Sequence, residues 1–259
     1  MTGTFRPAEI TQDVLPHTPW DDPALSRMLG MRPVEGPWIV IDDAYAAQMA
    51  ERARLMASRA NAILAMTPGA EAAVEELRDV VLGALPAGFA RTGGIVTCPD
   101  GRRVREAGPP LAVLNAVVQE DLLLLDRRGA EHVLIAGLLC IPAHWTLSQK
   151  IGRPLTRIHR PIATYDDALA GRVQRLFDRA PPGRPMWRAN VLPHDDAILH
   201  RPRPEGATRP TSRPPRYIRS ERQTILRLPE TGAMLFAVHT YIVPVERLSP
   251  EQALRCPAL

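Results

Sequence analysis

The stretch from Tyr217 to Val243, YIRSERQTILRLPETGAMLFAVHTYIV, decides the fold of this chain. In its first part, Tyr217–Leu228, the side chains at alternate positions form two sets, as the two faces of a strand do. Its second part, Ala233–Val243, is apolar up to His239. The residues between them, 229–232, begin with proline and end with glycine, which favours a turn. Two antiparallel strands of about ten residues each are long for ordinary strands, so we expect them to form the centre of a sheet.

Shorter apolar or alternating segments, each bounded by turn residues, predict further strands around this hairpin. They are Pro37–Ile41, a hairpin over Gly94–Val104, the pair Leu122–Leu125 and Val133–Leu139, Leu155–Ile158, and Met186–Leu192. Because several of them follow one another with only short connections, the sheet is expected to be antiparallel.

Helical spacing of apolar residues predicts three helices and one further segment that is either a helix or another buried segment. The helices are Asp43–Leu64, with Asp42 or Asp43 as its cap, Gly69–Leu85 and Asp166–Ala180, and the ambiguous segment is Pro109–Val118. Helices therefore dominate the first half and strands the second, which predicts an α+β fold with an N-terminal helical extension. We expect one domain over 1–259, with an irregular arm at 1–45, a loop rich in proline and arginine at 200–216 and a short tail at 249–259.

Composition excludes several classes of protein. The chain has 259 residues, a formal net charge of +4 and three cysteines, which are far apart in the sequence. This cysteine pattern fits neither a disulfide framework nor a zinc knuckle. The basic residues are interleaved with acids and form no patch for nucleic acid. No segment has the pattern of a secretory signal or a membrane span, so we expect a cytoplasmic protein that binds neither nucleic acid nor membranes.

A second stretch, Leu138–Pro161, carries the strongest candidate for a metal ligand: LLCIPAHWTLSQKIGRPLTRIHRP. His159 follows the predicted strand Leu155–Ile158 and precedes the turn at Pro161, so its ring is expected to be held in place. A fixed imidazole suits a metal or a heme iron. The competing interpretation is that His159 only caps a turn.

Polar residues inside the predicted strands are the other candidates. Because side chains alternate along a strand, Glu221 and Gln223 share one face, while Arg222 and Thr224 share the other. A buried carboxylate needs a partner, and Arg188 on the preceding strand is a candidate. Such a pair would either take part in a reaction or only stabilise the pairing of the two strands.

Two further clusters each allow two interpretations. His239 and Tyr241 share a face and are either groups beside a cofactor or substrate, or core residues with satisfied hydrogen bonds. His194, Asp195 and Asp196 would hold a divalent metal in a hydrolase, or would form a turn with an aspartate cap. The sequence has no phosphate loop, no GxSxG motif and no HExxH motif.

Four blocks together resemble one family of proteins. They are CIPAHW through IHRP, Tyr165 with RVQRLFDR, PMWRANVLPHDDAIL, and SERQTILRLPETGAMLFAVHTYIVP. In this order they are similar to the heme-dependent oxidative N-demethylases, the heme subunits of dimethylamine monooxygenase systems, over roughly residues 15–247. The resemblance implies a heme-binding, PAS-like α+β domain in which helices surround an antiparallel sheet. It also implies heme b, with its iron, as the cofactor.

The resemblance also implies roles for individual residues. It makes His159 the axial ligand of the iron and places the other candidates near the cofactor. The implied catalytic residues are Arg188, Glu221 and Arg222, and the implied cofactor-binding residues are His159, Asn190, His239 and Tyr241. The family often has tryptophan where this chain has Val191 and arginine where it has His239.

The implied reaction is the oxidative removal of a methyl group from a small methylated amine by O2. Its electrons would come from a separate NAD(P)H-dependent reductase with flavin or iron–sulfur centres, and self-association into a homo-oligomer is compatible with it. Two other functions stay open. One is a heme-binding sensor or carrier without turnover, and the other is a metal-dependent hydrolase that uses His194 and Asp195.

Overall fold

The computed structural model describes residues 9–27, 29–161, 164–208 and 214–259. Within these ranges the helices are α1 Tyr45–Ile63, α2 Glu71–Gly83, α3 Pro110–Val117, α4 Leu147–Lys150, α5 Leu155–His159, α6 Asp167–Arg179 and α7 Pro250–Arg255. The strands are β1 Arg32–Pro33, β2 Leu64–Met66, β3 Ala90–Thr92, β4 Ile95–Thr97, β5 Arg103–Arg105, β6 Asp121–Arg128, β7 Glu131–Leu138, β8 Met186–His194, β9 Tyr217–Arg227 and β10 Met234–Pro244.

A seven-stranded antiparallel sheet in the order β1-β8-β9-β10-β6-β7-β2 forms the centre of the fold. The hairpin of β9 and β10 lies in its middle and pairs without interruption from Met234 opposite Arg227 to Pro244 opposite Tyr217. A separate three-stranded sheet, β3-β4-β5, contains the hairpin predicted from the Pro99–Gly101 turn. The prediction of an α+β fold built on an antiparallel sheet is therefore confirmed.

The two faces of the large sheet have different surroundings. Along β6, Leu122 and Leu124 belong to the main core beneath α1, α2 and α3, whereas Leu123 and Leu125 belong to a second cluster on the side of α4, α5 and α6. The difference follows from the alternation of side chains along a strand. One face is thus covered by a filled core, and the other face is available for a cavity.

The strand predicted at Pro37–Ile41 is wrong, although Trp38 and Ile39 are buried as expected. Side chains from the end of α3 and the start of β6 take the backbone donors that a strand would use. Val40 N donates to Glu120 Oε1 at 2.8 Å, and Asp42 N donates to Gln119 Oε1 at 3.3 Å. The segment therefore attaches to the core through side-chain acceptors rather than a strand ladder.

The strand predicted at Leu155–Ile158 is also wrong, since these residues form the single-turn helix α5. Pro154 has an extended conformation and serves as the N-cap, and Ile158 N donates to Pro154 O at 2.9 Å. The buried Leu155 anchors the turn in the second cluster. A five-residue segment has too few residues for its apolar pattern to distinguish a strand from a helical turn.

Smaller differences occur at the ends of the chain. The N-cap of α1 is Ala44 rather than Asp42 or Asp43, and α7 lies in the segment expected to be a tail. Parts of the predicted N-terminal arm, 1–8 and 28, and of the predicted loop, 209–213, lie outside the described residues. None of the helices described above is both long enough and apolar enough to cross a bilayer.

Candidate functional site

A cavity of about 1380 Å³ lies against the second face of the sheet. Pockets for drug-sized ligands usually measure about 300–1,000 Å³. This one therefore has room for a large flat cofactor together with a small substrate. Its apolar wall comes from β6, β10 and the apolar face of α6. The residues of this wall include Leu123, Leu125, Phe236, Leu169, Val173 and Phe177. Its polar wall comes from β8, β9 and the loops around α4 and α5.

His159 lines this cavity at the end of α5 and is half-buried. Its Nδ1 lies 2.9 Å from the carbonyl oxygen of Leu155, four residues earlier. A carbonyl only accepts, so Nδ1 carries the proton and Nε2 keeps its lone pair. Burial lowers the pKa of His159, which favours the neutral ring that binds a metal. The helical turn, absent from the sequence prediction, is what brings Leu155 O within reach.

Three side chains hold α5 and its histidine in position. Lys150 Nζ donates to the carbonyl oxygen of Ile158, the residue before His159. The Tyr165 ring stacks on the His159 ring, with centroids 4.3 Å apart and planes at 15°. Arg157 donates two hydrogen bonds to Glu205, at 3.0 and 2.9 Å. The imidazole is therefore fixed from both its own helix and the neighbouring segments.

Glu205 belongs to a segment, residues 201–208, that we call the strap. The strap lines the cavity and is partly exposed, so it separates the cavity from solvent. At one end His144 N donates to Arg201 O at 3.2 Å, and further along Glu205 N donates to Gln149 Oε1 at 3.0 Å. Together with the Arg157–Glu205 pair, these contacts attach the strap to the segment that also carries α4 and α5.

Two more histidines line the cavity, His144 and His194, and their rings stack with centroids 5.5 Å apart. Burial and nearby arginines lower the pKa of each to about 4, so both are neutral at pH 7. Arg203 Nη2 lies 2.5 Å from His144 Nδ1. Since a guanidinium only donates, Nδ1 accepts and the proton of His144 is on Nε2. In this tautomer His144 can donate a hydrogen bond from Nε2. His159 has the other tautomer, in which the lone pair on Nε2 can bind a metal.

The polar wall of the cavity contains Arg188 and Asn190 on β8 and Glu221 and Gln223 on β9. Asn190 pairs with Glu221 across the two strands, and both Asn190 Nδ2 and Gln223 Nε2 donate to Glu221 Oε2, at 3.2 and 3.1 Å. The shared face of Glu221 and Gln223 that alternation predicts is therefore confirmed. The carboxylate has a fixed orientation in the wall.

The predicted pair between Glu221 and Arg188 is wrong. The partner of Glu221 is Arg219, two residues earlier on the same face of β9, with Nη2 3.2 Å from Oε1. Arg219 is fully buried, and its Nη2 also donates to Ile141 O at 2.8 Å. Burial lowers the pKa of Arg188, which nonetheless remains far above neutral pH for a guanidinium. The residue opposite Glu221 in the ladder is Asn190, whereas Arg188 lies opposite Gln223, two positions further along β9.

Arg222, His239 and Tyr241 point to the opposite face of the sheet and do not line the cavity. Arg222 Nη1 donates to Trp38 O at 2.9 Å, and its guanidinium lies 5.0 Å from the ring centroid of Trp187. Tyr241 packs in a separate small cluster with residues of the N-terminal arm and the C-terminal segment. These residues stabilise the filled side of the sheet, and we do not propose that they contact a ligand in the cavity.

His239 is buried between two carboxylates. Nε2 lies 3.0 Å from Asp42 Oδ2, and Nδ1 lies 3.3 Å from Glu120 Oε1. Burial alone would lower its pKa, but the two carboxylates raise the pKa of His239 to about 9. This arrangement fits the interpretation of His239 as a core residue with satisfied polar contacts.

The cluster His194, Asp195 and Asp196 does not have the geometry of a metal site. Arg201 pairs with both carboxylates, at 3.5 Å from Asp195 and 2.8 Å from Asp196. Within the ranges that the structure describes, no three histidine, cysteine or acidic side chains are grouped to hold a metal ion. A hydrolase that uses His194 and Asp195 is not supported.

Three residues that line the cavity, His144, Lys150 and Arg203, were not singled out from the sequence, and neither was Arg219, the partner of Glu221. Arg219 could have been found from the sequence, because it is two residues before Glu221 on β9 and its side chain therefore lies on the same face. The other three lie in irregular or very short segments, where no periodicity indicates which way a side chain points.

A family of known proteins matches most of the chain. A family model described as "Haem-dependent oxidative N-demethylase, alpha subunit-like" matches residues 31–257. The match includes the whole seven-stranded sheet and every cavity residue named above. The chain belongs to this family.

Proposed function

We propose that this member of the family binds heme b in the cavity and removes a methyl group from a small methylated amine by oxidation. The observation that supports it best is His159, a fixed and neutral imidazole with its Nε2 lone pair available inside a large apolar cavity. We also propose that the chain forms a single heme-binding domain and that the protein is cytoplasmic.

The residues present fit heme. A flat apolar macrocycle needs an apolar wall, which β6, β10 and α6 would provide, and a nitrogen ligand for its iron, which His159 would provide. When bound, heme would supply the activation of O2, a reaction that protein side chains do not carry out by themselves. The overall reaction consumes the methylated amine, O2, two electrons and two protons, and yields the demethylated amine, formaldehyde and water.

Glu221 is proposed to bind the substrate. Its carboxylate is held by Asn190 and Gln223 and lies in the cavity wall, so it does not have to be reorganised when a cationic amine arrives. Arg219 lies beside this largely buried carboxylate and offsets part of its charge. Arg188, on the same wall, supplies a positive charge that would stabilise negative charge developing on oxygen.

The electrons are proposed to come from a separate NAD(P)H-dependent reductase with flavin or iron–sulfur centres. The sequence contains no nicotinamide-binding fingerprint of the G-x-G-x-x-G type. A partner of this kind would have to approach the side of the molecule nearest the cavity, since electron transfer requires a short distance to the cofactor.

The experiment that tests the proposal has two steps. The purified protein is titrated with hemin and its absorption spectrum is recorded, and we expect a Soret band typical of histidine ligation. The loaded protein is then supplied with NADPH, a ferredoxin-type reductase pair, O2 and dimethylamine, and formaldehyde is measured. Hemin binding without formaldehyde from any small methylamine would favour a heme sensor or carrier. Failure to bind hemin would refute the proposal.

A further inference from the structure

One cation of the strap has no role in the chemistry proposed so far. Arg203 lines the cavity and is half-buried. Its neighbour Arg201 pairs with Asp195 and Asp196, but among the described residues no carboxylate lies within ion-pair distance of Arg203. Its one hydrogen-bond partner there is the neutral ring of His144. The cavity therefore contains a guanidinium whose charge is balanced by no carboxylate in the part of the chain that the structure describes.

The orientation of Arg203 is fixed by His144. The ring accepts the Nη2–H at Nδ1, which only the neutral imidazole can do. His144 is also the one non-glycine residue with a positive φ, 64°, in the described ranges. Non-glycine residues in this region are strained, and such strain is concentrated at ligand-binding sites. One N–H of Arg203 is thus used to position the group, and its remaining donors are available.

A guanidinium at the boundary between an apolar cavity and solvent suits a carboxylate, because the two can form parallel charge-assisted hydrogen bonds. At that boundary a carboxylate also retains part of its contact with water, which reduces the cost of burying its charge. The strap has this position, since its residues line the cavity and are partly exposed.

We propose that Arg203, positioned by His144, binds a carboxylate of the molecule in the cavity, and that this carboxylate is a propionate of heme. A carboxylate on the amine substrate is the other source of the same chemistry. The propionate is favoured because the substrate amine is assigned to Glu221 on the β8–β9 wall, whereas Arg203 is on the strap. The other strap and α4 cations are already paired, Arg201 with the two aspartates and Lys150 with Glu205 at 3.7 Å.

This inference rests on the proposed function, and the test keeps the two apart. Apoprotein is titrated with hemin and with hemin dimethyl ester, in which both propionates are blocked. The variants are Arg203→Gln and, as a matched control, Arg103→Gln, which removes an exposed arginine from β5 in the three-stranded sheet. We expect Arg203→Gln to weaken hemin binding about tenfold and to leave ester binding within about twofold. Arg103→Gln should change neither, and thermal unfolding of each variant checks that it is folded.

A second titration identifies the source of the carboxylate. The hemin-loaded wild type and Arg203→Gln are titrated with N-methylglycine and with dimethylamine, and binding is followed by the change in the Soret band. An unchanged hemin affinity with selective loss of N-methylglycine binding would overturn the assignment to propionate and give the site to the substrate. Equal weakening of hemin and its ester, or no effect on any ligand, would refute the carboxylate site itself. If the wild type bound no hemin, the proposed function would fail first.

Discussion

Arg157 and Glu205 form an ion pair of two hydrogen bonds, 3.0 and 2.9 Å long, that joins α5 to the strap. The pair thereby connects the turn that carries His159 with the segment that separates the cavity from solvent. Both side chains are partly exposed, at 39% and 24%, so water screens their interaction. Exposed pairs of this kind contribute little to stability by themselves.

The first prediction concerns this pair. Glu205→Gln should allow the strap to open more often and should speed hemin dissociation about two- to fivefold, as measured by hemin transfer to excess apomyoglobin. The exchange of both charges, Arg157→Glu with Glu205→Arg, serves as the control and should restore much of the wild-type rate. Equal rates in the wild type and Glu205→Gln would show that the pair does not hold the strap closed.

The second prediction concerns the axial ligand. His159→Gly should bind hemin at least about tenfold more weakly and lose the Soret band of histidine ligation, because the ring with an available Nε2 is removed. Added imidazole should restore the band, since it can occupy the space left by the side chain. His194→Gly is the matched control within the same cavity and should keep the wild-type spectrum. If His194→Gly lost the Soret band of histidine ligation and His159→Gly kept it, His194 rather than His159 would be the iron ligand.

The third prediction concerns Glu221. Glu221→Gln should still bind hemin but should lower formaldehyde production about 100-fold, because the carboxylate that we propose to bind the amine is replaced by a neutral amide. The control is Asn190→Ala, which keeps the carboxylate and removes one hydrogen bond to it. It should lower turnover much less. Thermal unfolding of Glu221→Gln is needed as well, because the change leaves buried Arg219 without its ionic partner.

The fourth prediction concerns the pH dependence of stability. In the folded protein the pKa of His239 is raised to about 9, above its ordinary value of 6.5. The stabilising effect of its protonated form is therefore complete below about pH 6.5 and is lost as the pH rises through 9. The free energy of unfolding in urea should fall by roughly 3 kcal/mol from this group between pH 6 and pH 10.

His239→Gln should reduce this fall in the free energy of unfolding between pH 6 and pH 10. It should also destabilise the protein at pH 7, because Asp42 and Glu120 would lose the cation between them. His17→Gln is a suitable control. Its ring also packs on Tyr241, but burial and Arg222 lower the pKa of His17 to about 4, so it stays neutral over this range. A decline that persists in His239→Gln and disappears in His17→Gln would contradict the assignment.

Long periodic segments were predictable from the sequence. The hairpin of β9 and β10, the helix α6 and the shared face of Glu221 and Gln223 follow from alternation or helical spacing over ten or more residues. In such segments many positions indicate the same element, and tertiary contacts agree with them. These elements also supply much of the cavity wall.

Short segments were not predictable, because tertiary contacts decide their conformation. The α5 turn depends on the extended Pro154 and on Lys150, which bonds the Ile158 carbonyl. At Val40 a distant carboxylate, Glu120, takes the backbone donor. No local pattern in the sequence indicates either partner. The same holds for His144 and Arg203, which meet although they are far apart in the sequence.

The two-sided sheet has a consequence for how this protein can diversify. Along β9, Arg222 and Thr224 contribute to the filled side, while Glu221 and Gln223 face the cavity. Substitutions at neighbouring positions should therefore have different effects in a saturation mutagenesis screen, with every second residue governing abundance and the residues between them governing which ligands the cavity binds. New substrate ranges can then evolve through one set of positions without loss of the scaffold that the other set maintains.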